Sequence, residues 1–201
     1  MSTSQQNLEA LQDIRKMMDR SSRFISLSGW SGIVAGVIAL GGVWFAHQKL
    51  SASYDDPAAL QSELFTIAAI VFVAAFASAI GLTFIKSRKQ GVAFWGPSAK
   101  RLIWNTLLPM IAGGFLIWRM IELQQYSLTP AASLIFYGLA LINGSKYTLG
   151  EVRFLGYAEL LTGIIGLWFT DSALYFWAFG FGMLHIIYGV AMWWKYERRE
   201  A

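Results

Sequence analysis

Two residues of this chain put titratable chemistry inside apolar stretches: Glu159 within FLGYAELLTGIIGLWF, and His185 within FWAFGFGMLHIIYGVAMWW. A carboxylate in hydrocarbon is costly and is kept for pairing or for function. An imidazole changes charge near neutral pH, and a neighbouring carboxylate tunes that change. At helical rise Glu159 lies about 6–9 Å, and His185 about 14 Å, from the same end of their stretches. The turn Asp171-Ser172 joins the two stretches, so they are antiparallel neighbours. Asn105, Thr106 and Asn143 fall in the corresponding half of their own stretches. With Tyr157 and Tyr188 these residues are expected to form a polar pocket in which Glu159 faces His185 and binds a proton or a small polar solute. The competing expectation is that Glu159 reaches the interface or pairs with Arg153, while His185 makes one interhelical hydrogen bond.

Other chemistries find no residues to carry them. The chain has no cysteine, which removes disulfides and thiolate metal sites. It has no H-E-x-x-H, no G-x-S-x-G, no phosphate loop and no paired intramembrane aspartates. His47 and His185 sit at opposite depths, which argues against a bis-histidine haem. No catalytic residue, metal or cofactor is therefore expected, and the protein is read as non-enzymatic.

The elements that position Glu159 and His185 follow from composition. Hydrophobic residues make up 56% of the chain and charged residues 14%, and the apolar residues arrive in runs long enough to cross a hydrocarbon core. The fold class is all-α, a polytopic membrane bundle of six spans at 25–47, 63–85, 102–121, 130–147, 153–170 and 173–194. Residues 1–24 precede it as a cytoplasmic amphipathic helix with an apolar stripe of Leu11, Ile14 and Met18. The first span reads as an uncleaved signal anchor. Pro109 lies inside the third span and should kink it, with Asn105 and Thr106 near enough to satisfy the freed backbone groups.

Charge sets the orientation. Arg15, Lys16, Arg20 and Arg23 lie before span 1; Lys86, Arg88, Lys89, Lys100 and Arg101 lie between spans 2 and 3. Lys146 and Arg153 lie between spans 4 and 5, and Lys195, Arg198 and Arg199 follow span 6. Of the 16 basic residues only Lys49 and Arg119 fall on the other side. The positive-inside rule then puts both termini in the cytoplasm of a bacterial inner membrane, with the pocket opening to that side. Tryptophans near span ends, among them Trp30, Trp44, Trp104, Trp168 and Trp194, suit the headgroup level. Basic residues that flank apolar runs meet lipid rather than nucleic acid.

Small residues supply the helix contacts, because lipid is as apolar as leucine and association needs close backbone approach. Ser28, Gly32 and Gly36 recur every four residues in span 1, Ala75 and Ala79 (with Ala77 and Gly81) in span 2, and Ala140 and Gly144 in span 4. They are expected to pack within the bundle, or against a second copy or a partner membrane protein. Gly29-Trp30-Ser31-Gly32-Ile33-Val34-Ala35-Gly36 aligns without a gap on Gly156-Tyr157-Ala158-Glu159-Leu160-Leu161-Thr162-Gly163. Spans 4 and 6 align with Gly138 on Gly180 and Asn143 on His185. Three repeated parallel hairpins around a pseudo-threefold axis would explain both matches.

The segment Arg23-Phe24-Ile25-Ser26-Leu27-Ser28-Gly29-Trp30-Ser31-Gly32 and onward to Gly36 resembles the opening of a group of uncharacterised bacterial six-span membrane proteins. The glycine-rich hairpins are loosely similar to the acid-resistance membrane protein family. The resemblance implies the general layout and transfers no active residue. Two roles follow from the residues: a carrier or sensor working through the polar pocket, or an accessory subunit working through the N-terminal helix and the basic face.

Overall fold

The computed structural model describes residues 27–51, 57–92 and 94–198, and everything described is helix or short connector. The amphipathic helix expected over 1–24 lies outside these residues. Five helices come first: α1 Gly29–Ser51, α2 Pro57–Lys89, α3 Pro97–Glu122, α4 Thr129–Gly144 and α5 Glu151–Gly166. A C-terminal rod follows, built from α6 Ala173–Trp177, a π-helical turn Ala178–Leu184, α7 His185–Met192 and a second π-helical turn Trp193–Glu197.

Five segments are long and apolar enough to cross a bilayer: α1, α2, α3, Tyr126–Tyr147 and Thr170–Glu197. Helix α5 has 16 residues, about 24 Å at helical rise, shorter than the roughly 30 Å hydrocarbon core. The protein is a multi-span helical membrane protein. Only 6% of the apolar windows of α2 and α3 is buried, against 33% for α1 and for Tyr126–Tyr147. Helices α2 and α3 are therefore peripheral, packing on α1 and α4 respectively, and they carry large lipid-facing side chains such as Phe72, Phe76, Trp104 and Phe115.

Two seams hold the centre together, and each is built on glycine. Where α1 meets the rod, a Cβ on Gly29 would stand 2.5 Å from Trp193 N and 2.6 Å from Gly189 O, and one on Gly36 would stand 2.6 Å from Gly182 O. Where α5 meets α4, a Cβ on Gly156 would lie 2.9 Å from both Gly138 O and Ile142 N, and one on Gly163 would lie 2.9 Å from Ala131 O. The two seams match position for position. Gly29, Ile33 and Gly36 take the places of Gly156, Leu160 and Gly163. Gly182, Ile186, Gly189 and Trp193 take those of Ala131, Ile135, Gly138 and Ile142. This agrees with the alignment of spans 1 and 5. It corrects that of spans 4 and 6, because Gly138 corresponds to Gly189 rather than to Gly180, and His185 to Leu134 rather than to Asn143. Sequence matching aligned glycines, whereas packing aligns the backbone atoms that actually touch.

Of the other small residues, Ser28, Gly32 and Ala140 are buried, and Gly144 packs on Thr106 and Leu102 of α3. Ala75 and Ala79 are half-buried and share a helical face with Val71, which packs on Gly42. Ala77 and Gly81 are exposed, and a Cβ on Gly81 would meet nothing within 4 Å.

Helix ends near the basic residues are tied by charge. Lys86 Nζ lies 2.9 Å from Glu197 Oε1 and donates to Leu27 O at 2.7 Å, while Gly29 N donates to the same Glu197 oxygen at 2.7 Å. One carboxylate thus caps α1 and joins α1, α2 and the rod. Beyond Lys86, α2 ends at Gly91, whose φ of 63° suits glycine, with Gly91 N bonding Arg88 O and Val92 N bonding Ser87 O. Lys86→Met should lower stability by about 1.5–3 kcal/mol, the loss of a charged hydrogen bond that leaves Glu197 short of a partner. Thermal unfolding in detergent checks this, and an unchanged midpoint would count against the clasp.

Candidate functional site

Glu159 and His185 do meet. His185 Nδ1 lies 3.1 Å from Glu159 Oε1 and 3.2 Å from Gly180 O. The carbonyl satisfies hydrogen-bond geometry, whereas neither Glu159 oxygen has a partner that does so among the described residues. The Gly180 carbonyl can only accept, so Nδ1 carries the hydrogen in that bond. Nε2 lies 2.8 Å from the hydroxyl of Tyr137, which donates to a neutral ring and accepts from a protonated one.

The sequence places these groups for local reasons. Glu159 leaves α5 between Gly156 and Gly163, both pressed against α4. A Cβ at Gly180 would stand 2.5 Å from Glu159 Oε2 and would also strike Leu134, so only glycine lets the rod pass over the carboxylate. Gly180 and Gly182 lie within the first π-helical turn, where their conformational freedom lowers the cost of leaving α geometry. The turn brings the carbonyl of Gly180 within reach of the side chain five residues on.

Glu159 has 0% exposure and His185 7%. This removes the expectation that Glu159 reaches the interface or pairs with Arg153, which is exposed. It also removes the open pocket at this position, since the pair is sealed by Leu134, Gly180 and Tyr137. Tyr137 went unnoticed in the sequence, where it is one aromatic among many. Its only signal there was its place on α4, and α4 could not be known to face the rod.

The remaining expected residues lie elsewhere. Asn143 Nδ2 donates to Asn105 O at 2.8 Å and lies 3.3 Å from Asn105 Oδ1. Pro109 has no N–H to bond the carbonyl four residues earlier, which is that of Asn105. Asn143 supplies the missing donor from the neighbouring helix, and Lys146 Nζ holds its amide oxygen at 2.9 Å. Helix α3 runs unbroken through Pro109. Thr106 packs on Gly144. Tyr157 is 50% exposed on the lipid side. Tyr188, three residues beyond His185, stays beside the central group and is half-buried.

A second polar group lies at the basic end of the same α5–rod contact. Lys195 Nζ pairs with Glu151 Oε1, and Tyr196 OH donates to the same oxygen at 2.8 Å. Burial opposes ionisation of Glu151, but hydrogen bonds from Lys195, from its own backbone and from Tyr196, with the charge of Lys195, outweigh it. The carboxyl is held below its ordinary value of 4.5. A folded value below the unfolded one stabilises above the unfolded value and fades as pH falls through the folded one. The melting-temperature gap between wild type and Glu151→Gln should therefore be full at neutral pH and close below about pH 4.5. A gap unchanged in acid would contradict this.

No protein-family model, curated protein or solved structure matches the chain. What fold and site define is a polytopic α-helical membrane protein. Its distinguishing feature is a carboxylate, an imidazole and a phenol closed together between two glycine seams.

Proposed function

We propose that this is a six-span bacterial inner-membrane protein, both termini cytoplasmic and without enzymatic activity, whose central Glu159–His185 pair binds a proton and either moves it or reports it. The observation that carries the reading is a fully buried carboxylate 3.1 Å from an imidazole whose other nitrogen is held by Tyr137. A bare carboxylate there, beside a neutral ring, is an unpaired buried charge. One proton shared by the pair removes it, either as neutral acid beside neutral ring or as carboxylate beside imidazolium, and the two titrate as a unit. The absence of exposed surface on Glu159 favours a proton over a solute. The clustering of Lys86, Lys100, Arg101, Lys146, Arg153 and Lys195 at one set of helix ends supports cytoplasmic placement of that face.

Purified protein taken from neutral to alkaline pH should release about one more proton per chain than Glu159→Gln, counted with a pH-indicator dye. Identical release by the two proteins would remove the pair as a proton site.

A further inference from the structure

Resting on that reading, we propose that the proton reaches Glu159 and His185 from the basic face only, along the contact between α5 and the rod, with Tyr188 as the relay and Glu151 as the port. Two facing stripes make the route. On α5, Glu151, Leu155 and Glu159 recur every four residues, with Leu155 and Glu159 buried. On the rod, His185, Tyr188, Met192 and Tyr196 form the opposing stripe. Both ends of the seam are closed by polar contacts, Glu159 with His185 at 3.1 Å and Glu151 with Tyr196 at 2.8 Å. Tyr188 lies between them on the rod's stripe, three residues past His185 and eight before Tyr196, and is half-buried.

The opposite direction is shut. Trp177, Phe181 and His185 continue the rod's stripe toward the other face. Phe181 packs at 4.9 Å on Trp177 and at 5.1 Å on Tyr137, centroid to centroid. A phenyl ring has no exchangeable proton and the indole N–H only donates, while Thr162, buried one turn beyond Glu159 on α5, has its hydroxyl committed to Ala158 O at 2.7 Å. Helix α1 presents Gly32 and Gly36 to the rod at this level and adds no titratable group. The groups facing the pair are therefore Tyr137 from α4 and Tyr188 on the rod, with Glu151, Lys195 and Tyr196 at the port.

Atoms balance along the route. A proton taken by the Glu151 carboxylate passes to a tyrosine oxygen, which gives up its own hydroxyl proton to the next acceptor. Each phenol is neutral before and after. Transfer across the centre requires Tyr188 to approach Tyr137 and the port in turn, past the buried side chain of Met192.

The test is the rate and sidedness of proton release after an alkaline jump, followed by stopped flow with the full chain in oriented liposomes. Release is expected when the jump is applied at the basic face and not at the other. Tyr188→Phe and Glu151→Gln are each expected to slow it on the order of tenfold, about 1.4 kcal/mol on a barrier, with the released amount unchanged. Phe181→Ala is expected to add release to the opposite face. Equal release from both faces, or a rate indifferent to Tyr188 and Glu151, overturns the route while leaving the proton site intact. No released proton in the wild type overturns the site and the route together.

Discussion

Gly138→Ala is expected to destabilise the protein by about 1–3 kcal/mol, and Gly138→Leu to leave little folded material. The added Cβ would stand 2.6 Å from Leu160 N and 2.7 Å from Gly156 O. Those neighbours are backbone, which cannot rotate away as a side chain can, so α4 and α5 must part. Parting them loosens the seam from which Glu159 projects. Gly189→Ala should behave alike, since its Cβ would stand 2.5 Å from Ile33 N and 2.6 Å from Gly29 O. Gly41→Ala and Gly114→Ala are the controls: both sites have nothing within 4 Å, and alanine there should be neutral or stabilising by up to about 1 kcal/mol. Unfolding midpoints in detergent decide the matter. Equal effects at Gly138 and Gly114 would mean that the seams do not hold the bundle.

His185→Leu is expected to cost about 3–5 kcal/mol, because it removes the ring and leaves a fully buried carboxyl group without its ion partner. Glu159→Gln placed on that background should recover most of the loss, since a neutral amide carries no uncompensated charge. The two changes must then be strongly non-additive, as for groups in contact. Additive losses, or a mild effect of His185→Leu alone, would show that the ring does not hold Glu159. Proton counting on the same four proteins separates stability from function. A folded Glu159→Gln that still releases the full proton would place the titration elsewhere.

Much of the molecule was legible in order of residues. Apolar runs of bilayer length, bounded by charge, announce membrane helices because lipid admits no other open backbone. Glu159 and His185 were legible as a candidate pair because the Asp171-Ser172 turn forces their stretches to be neighbours. The match of Gly29–Gly36 to Gly156–Gly163 was visible for the same reason that it packs, since both segments need small residues at the same helical spacing. The length of α5 was less legible: the apolar stretch to Thr170 looked like a full span, but the helix stops at Gly166.

What sequence could not reach was everything that depends on a second helix. Asn105 and Asn143 looked like pocket lining. Only the approach of α4 to α3 made Asn143 the donor to the carbonyl that Pro109 frees. Tyr137 entered the site because α4 and the rod lie side by side. The open pocket became a sealed cluster because Gly180 lets the rod close over the carboxylate.

Chain order by itself determined the apolar solvent, the helical runs and the two titratable groups, since each follows from local transfer energy and helical period. Tertiary structure alone decided that each glycine seam carries one departure from the pattern. Glu159 stands where the other seam has Gly32, and His185 where it has Leu134, and contact between the two departures depends on how the seams abut. No periodicity within one segment encodes the rotation of one helix about its axis relative to another. That rotation is set by which backbone atoms can approach, and it is what turns two isolated polar residues into a pair.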